Sequence, residues 1–224
     1  FHEMGHEWWG NFLSVANWSD FWIHEGFDTY AEALFIEEKY GRNKAIGFVR
    51  DRYKKNIKNE HPIVIDEEGT SRHLSGNDVY YKGAHVLHML RYLIGDKVFK
   101  STLKEFIQMP KELENNQTST KEFIALVNEN TNSDLQWFFD IYLYQNNLPI
   151  LNIRETKGQK YSFVDLWWEN QSFRMPLEIT YNGLNGQTRR KLEIGNEPER
   201  LAFLTNSKYK LDPDSWLLFT KKKN

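Results

Sequence analysis

The sequence predicts an α+β multidomain chain, an all-α half followed by a small all-β sandwich. Three observations carry this. Up to about residue 145, apolar residues recur at three- and four-residue spacing, with helix start and stop signals between the segments. After Asn146-Asn147 the pattern turns to short runs of strand-like composition, separated by Gly158, Asn182-Gly183, Asn185-Gly186, Gly195 and Asp212-Pro213. The 224 residues are 40% hydrophobic and 15% aromatic, enough for one large core or two modest ones. The expected domains are residues 1–146 and 147–224.

Residues 1–9 read as a short helix, and 10–20 as a connecting loop in which Ser19 or Asp20 can cap the next helix. That second helix is expected over 21–40, with Phe27, Tyr30, Ala31, Leu34 and Phe35 on its packed face and Gly41 as its stop. A third, over 43–57, is amphipathic through Ala45, Ile46, Val49 and Tyr53. Pro62, Gly69 and the acidic run Asp66-Glu67-Glu68 break the pattern over 58–77, which reads as a loop, either lining a cleft or simply solvated.

Further helices are expected over 78–94 and from Asp96 through Ile107 toward Pro110. Ser119-Thr120-Lys121-Glu122 forms a capping box before another, and residues 134–145 make one more. Six strands are expected, at 148–154, 161–168, 175–182, 189–194, 200–204 and 215–220. Trp167 and Trp168 should face opposite sides of their strand, and Lys221-Lys222-Lys223 reads as a solvated tail.

Composition excludes several partners. With 29 basic and 31 acidic residues the net charge is −2, so nucleic acid is not implied. No apolar run approaches the ~20 residues of a membrane span. Cysteine is absent, so no disulfide supports the fold and no thiol can bind a metal, and the compartment is left open. Phe1 stands directly before His2 with no initiator Met or signal peptide. The chain is therefore expected to be a fragment of a longer protein, with any targeting segment upstream.

The chemistry is concentrated at the beginning, in Phe1-His2-Glu3-Met4-Gly5-His6-Glu7-Trp8-Trp9-Gly10-Asn11. Residues four apart lie on one face of a helix, so His2 and His6 can aim two imidazole nitrogens at one point, the bite that Zn²⁺ needs. Glu3 is turned away from the metal and placed to hold a water on its open position. A third ligand should be a carboxylate or histidine from another element. Glu25, after 18 intervening residues, supplies it from Trp22-Ile23-His24-Glu25-Gly26-Phe27-Asp28. Glu32, two turns past Glu25, can accept the free N–H of a ligand histidine. Without a cation, Glu3, Glu7, Glu25 and Glu32 would crowd one neighbourhood and repel. His24 should point away from the metal. His85 and His88 lack a third ligand and read as packing or surface residues. Trp8, Trp9, Trp18 and Trp22 read as the packing that positions the ligand helices.

This pattern resembles the M1 family of zinc aminopeptidases, whose signature is His-Glu-x-x-His, 18 residues, then Asn/His-Glu-Gly. Trp8-Trp9-Gly10-Asn11 and Trp22-Ile23-His24-Glu25-Gly26-Phe27 resemble the family's flanks, and Gln145 to Leu151 resembles its Gly-x-Pro-x-Leu junction. The resemblance implies the helical lobe of a thermolysin-like catalytic domain followed by a β-sandwich, one zinc per chain and a peptide substrate cleaved at its N-terminus. It also implies that Tyr80 of Tyr80-Tyr81-Lys82-Gly83 matches the family's Tyr-x-Lys-Gly tyrosine, which donates to the oxyanion. Tyr81 departs from the Glu usual there, and without the motif Tyr80 reads as a core aromatic. The family's Gly-x-Met-Glu-Asn strand, which grips the substrate amine, does not occur in these residues. A related zinc hydrolase (an epoxide hydrolase or endopeptidase) and a non-catalytic metal-binding module are the alternatives. Lacking the preceding N-terminal domains, the fragment is expected to be inactive alone, with a zinc site that can stand empty.

Overall fold

The computed structural model describes residues 1–65, 76–108, 116–183 and 186–224. It falls into two compact units, Phe1–Asn147 and Leu148–Asn224.

The first unit is helical. α1 (His2–Gly5) leads through a turn to β1 (Ser14–Val15) and then α2 (Trp22–Tyr40), α3 (Arg42–Phe48), α4 (Asp78–Ile94) and α5 (Asp96–Gln108). β2 (Gln117–Thr118) pairs in parallel with β1, and α6 (Thr120–Thr131) and α7 (Gln136–Tyr142) complete the unit.

α2 is the central element. Its first half is buried on nearly every side, through Trp22, Ile23, Glu25, Gly26, Phe27, Asp28, Thr29 and Tyr30. Each buried large side chain there contributes ~1.5–3 kcal/mol. Trp22 and Phe27 pack on Phe123 and Phe106, and the Trp22 indole N–H donates to the Thr120 hydroxyl at 2.8 Å. α2 crosses α4 where two glycines meet. A Cβ on Gly26 would lie 3.0 Å from the Gly83 backbone, and one on Gly83 would lie 3.1 Å from the Gly26 Cα. This close approach fixes the height of one helix against the other.

Several local readings need correction. The loop at 10–20 contains β1 and a 3₁₀ turn over Trp18–Asp20. Asp20 does not cap α2: its carboxylate accepts the Thr120 N–H at 2.9 Å, satisfying the start of α6. The packed face of α2 runs through Trp22, Ile23, Phe27, Tyr30 and Ala33, whereas Phe35 is 41% exposed and stacks on Phe1. The third helix is α only to Phe48, then passes through a π turn at Val49–Tyr53 and a 3₁₀ turn at Lys54–Asn56. The last helix spans only Gln136–Tyr142. The acidic run at 66–68, Gly69, His73 and Pro110 lie outside the described residues. The boundaries of α4 and the capping box of Ser119 and Glu122 match the sequence reading.

The second unit is two sheets. One has the order β7-β4-β3-β9, built from β3 (Ile150–Thr156), β4 (Tyr161–Trp168), β7 (Glu199–Leu204) and β9 (Thr220–Lys223). The other has the order β6-β5-β8, built from β5 (Leu177–Gly183), β6 (Gly186–Leu192) and β8 (Tyr209–Leu211). Leu151, Ile153, Val164, Leu166, Trp168, Leu177, Ile179, Leu201 and Phe203 are buried at strand-like alternation. Trp168 is in the core and donates to the Met175 carbonyl at 3.0 Å, while Trp167 is half-buried under Arg154.

Two expectations fail here. Residues 215–219 form no strand, because Asp212 and Ser215 adopt positive φ and the Asp212 carboxylate accepts the Trp216 and Leu217 N–H groups at 2.7 and 3.0 Å. The lysine run is no free tail. It is exposed β9, paired in parallel with β3, with Lys222 Nζ 2.9 Å from Glu169. Lysines suit an edge strand because they resist further pairing.

Candidate metal centre

α1 and the first half of α2 bring three ligating atoms together. His2 Nε2 lies 3.2 Å and His6 Nε2 3.7 Å from Glu25 Oε2. One ligand atom from each of the three residues lies within 4.8 Å of the others. In a tetrahedral site with bonds of ~2.0–2.1 Å, neighbouring ligand atoms are ~3.3 Å apart. The two observed separations bracket that value, so the donor set fits a small divalent ion in both chemistry and size. The imidazole rings stand 84° to each other with centroids 5.0 Å apart, as expected of rings one helical turn apart that converge on one point.

Each histidine is backed on its far nitrogen. His2 Nδ1 lies 3.5 Å from Glu32 Oε1. His6 Nδ1 lies 2.5 Å from Asp28 Oδ2 and 3.2 Å from the Trp9 carbonyl oxygen. The carbonyl has the better hydrogen-bond alignment; the carboxylate is closer. Asp28 is fully buried, and burial drives its carboxyl up, opposed by His6 and reinforced by the carboxylates of Glu25, Glu3 and Glu32. Asp28 escaped the sequence reading. The signal that could have found it is Gly5, a residue unfavourable in a helix interior, standing between the two candidate ligand histidines.

Glu3 is exposed on α1, within electrostatic range of both Asp28 and Tyr80. Tyr80, in the first turn of α4, has its ring centroid 5.9 Å from that of His2 and lies within electrostatic range of Glu25. Burial and the charges of Glu25 and Glu3 push its pKa upward. The phenol therefore stays protonated at neutral pH. Lys82 of the same motif is fully buried and donates to the Gln145 carbonyl at 3.0 Å, bracing the unit. Burial lowers its pKa to about 8.

Other residues singled out from the sequence stand elsewhere. Glu7 is exposed and accepts from Asn11 Nδ2 at 3.4 Å. Asp28, not Glu7, is the carboxylate behind His6. His24 packs on Phe21, and burial, with the charge of His6, lowers its pKa to about 4. His85 and His88 are buried beside each other in the core. Of the four tryptophans, Trp22 is buried and Trp9 packs on Phe27, whereas Trp8 and Trp18 are about half exposed. Among the described residues no helix is long and apolar enough to cross a membrane.

Comparison with known proteins finds relatives over most of the chain. The glutamyl aminopeptidase of Sus scrofa is 27% identical over 164 residues, covering 70% of this chain and 17% of the relative. The aminopeptidase N of Lactococcus lactis subsp. lactis is 24% identical over 202 residues, covering 82% of this chain and 23% of the relative. The chain thus spans about a fifth of the length of these curated relatives. An M1 zinc metallopeptidase from Deinococcus radiodurans, solved with a Tyr-Ser-Ala substrate, is 26% identical with a TM-score of 0.56, covering 66% of this chain and 33% of that one. The aminopeptidase A of Legionella pneumophila, solved with aspartic acid, matches all of this chain and 26% of its own at a TM-score of 0.75 and 19% identity, a likeness of fold. The sequence model described as Peptidase family M1 domain matches residues 1–142. This chain belongs to peptidase family M1.

Proposed function

We propose that this chain carries the zinc-binding part of a peptidase that releases N-terminal amino acids from peptides. The observation that carries the reading is the convergence of His2, His6 and Glu25, with the Tyr80 ring centroid 5.9 Å from that of His2. His2 Nε2, His6 Nε2 and a Glu25 oxygen would hold Zn²⁺, and Glu32 would fix the tautomer and orientation of His2 through Nδ1. A bound zinc lowers the pKa of its water toward ~7 and polarises the scissile carbonyl. The Glu3 carboxylate takes the proton of the attacking water and delivers it to the leaving nitrogen. The Tyr80 hydroxyl, kept protonated by its surroundings, donates to the carbonyl oxygen as charge gathers there. The peptide bound by the Deinococcus radiodurans relative and the aminopeptidase activity named for the others support the substrate class.

Residues 1–146 then act as the helical lobe of the catalytic domain and 147–224 as a β-sandwich domain. Phe1, Met4, Trp8 and Phe12 leave an exposed apolar face on and beside α1, each more than half exposed. That face suits cover by preceding domains of a longer protein, so the chain alone is expected to show no turnover.

The test is Glu3→Gln in that longer protein, assayed on an aminoacyl anilide with zinc content measured in parallel. The substitution should retain one zinc per chain and lower kcat by at least ~10²-fold, the lower end for a general base. Retained turnover would refute the role of Glu3. Glu25→Gln should instead lower zinc occupancy.

A further inference from the structure

We propose that Asp28 is a positioning residue for the metal ligand His6, seated in room that Gly5 leaves open. The inference deepens the zinc-site reading and rests on it.

Asp28 lies three residues past Glu25, so it shares the α2 face that meets α1. Its side chain is fully buried, with Oδ2 2.5 Å from His6 Nδ1. Neither of its oxygens makes a hydrogen bond of standard geometry. A buried carboxylate left in that condition costs several kcal/mol unless a cationic group or strong donor faces it. The group facing it is the imidazole whose other nitrogen points at the metal position. A cation on Nε2 makes Nδ1–H a stronger donor, which supplies what the carboxylate lacks. Asp28 on one side and the Trp9 carbonyl on the other then bracket the ring and set its plane.

The second observation is independent of charge. A Cβ on Gly5 would lie 2.3 Å from Asp28 Oδ1 and 2.8 Å from its Cγ. α1 therefore tolerates Asp28 only because Gly5 has no side chain. The residue between the ligand histidines and the carboxylate behind one of them form a matched pair. With Glu32 behind His2, both ligand histidines take their far-side partner from α2.

The test uses four forms of the longer protein: unsubstituted, Asp28→Ala, Gly5→Ala and the double variant Gly5→Ala/Asp28→Ala. Zinc affinity is measured by competition with a chromophoric chelator, the melting temperature by circular dichroism, and ligand geometry by the visible spectrum of the Co²⁺ form. Asp28→Ala should weaken zinc ~10–100-fold, the range for losing a histidine's far-side partner, and shift the cobalt bands. Gly5→Ala should lower both melting temperature and zinc affinity, because its methyl displaces the carboxylate. The double variant should regain the melting temperature lost in Gly5→Ala, since nothing remains to clash, yet stay ~10–100-fold weak for zinc. A purely structural Asp28 would let zinc affinity recover together with stability.

Zinc affinity of Asp28→Ala within about two-fold of the unsubstituted form, far from the ~10–100-fold loss, would overturn the assignment while leaving the metal centre standing. Absence of zinc binding by the unsubstituted longer protein would instead bring down the metal centre itself, and the role of Asp28 with it.

Discussion

The crossing of α2 and α4 gives a substitution whose outcome depends on one distance. In Gly26→Ala the new Cβ would sit 3.0 Å from the Gly83 Cα and carbonyl carbon and 3.2 Å from the Val79 carbonyl oxygen. All three are backbone atoms and cannot swing aside. Carbon atoms at rest lie ~3.5–4.0 Å apart, so the helices must separate by roughly 0.5–1 Å. Overpacking of that kind costs ~1–3 kcal/mol. For a chain of this size each kcal/mol lowers the melting temperature by ~2–4 °C, giving a fall of ~2–12 °C. Gly47 in α3 provides the control. A Cβ there meets only Arg50 Nη2, at 3.9 Å, so Gly47→Ala should add ~0.5–1 kcal/mol through helix propensity. Thermal melts followed by circular dichroism read both variants. A Gly26→Ala chain as stable as the unsubstituted one, or a Gly47→Ala chain equally destabilised, would refute the close-approach argument. Glu25 adjoins Gly26 and Tyr80 lies one turn before Gly83, so the same separation should also move Tyr80 away from Glu25.

Other substitutions probe the remaining polar interactions. Arg91, 2% exposed, donates to Glu37 at 2.6 and 2.8 Å and to Asp96 at 2.8 and 2.7 Å. Arg91→Ala should lower stability in urea by ~1.5–3 kcal/mol, the range for charged hydrogen bonds, because its partners stay partly exposed. In the β unit, hydrogen bonds from Arg200 and Arg154 hold the Asp165 carboxyl at about 2. Its folded value lies below the ordinary ~3.9, so its ion pairs add stability above pH ~4 and lose it as pH falls toward 2. An acid titration should therefore show the unsubstituted chain and Asp165→Asn differing at neutral pH and converging at the acid end. A difference that stays constant with pH would contradict the assignment.

Features of the fold were legible in the sequence where the information was local. The four-residue spacing of His2 and His6 is a property of one turn, and the return to Glu25 needs only a loop and a second helix. The structure brings the three within reach of one ion. Gly95 marks the end of α4, and Ser119 with Glu122 marks the start of α6, because caps act within a few residues. The misses depend on tertiary environment. Periodicity placed Phe35 on the packed face, but the last turns of α2 extend beyond the elements that bury its beginning. The lysine run has no apolar alternation, so only its partner β3 reveals it as a strand. Asp28 passed for an ordinary helical polar residue, because its meaning depends on Gly5, far away in sequence and opposite in space.

The most direct test of the account is anomalous scattering at the zinc edge from crystals of the zinc-loaded protein. The account predicts a single peak ~2.0–2.2 Å from His2 Nε2, His6 Nε2 and a Glu25 oxygen. Crystals in which those three side chains are ordered with no peak between them, or with the zinc held elsewhere, would contradict it.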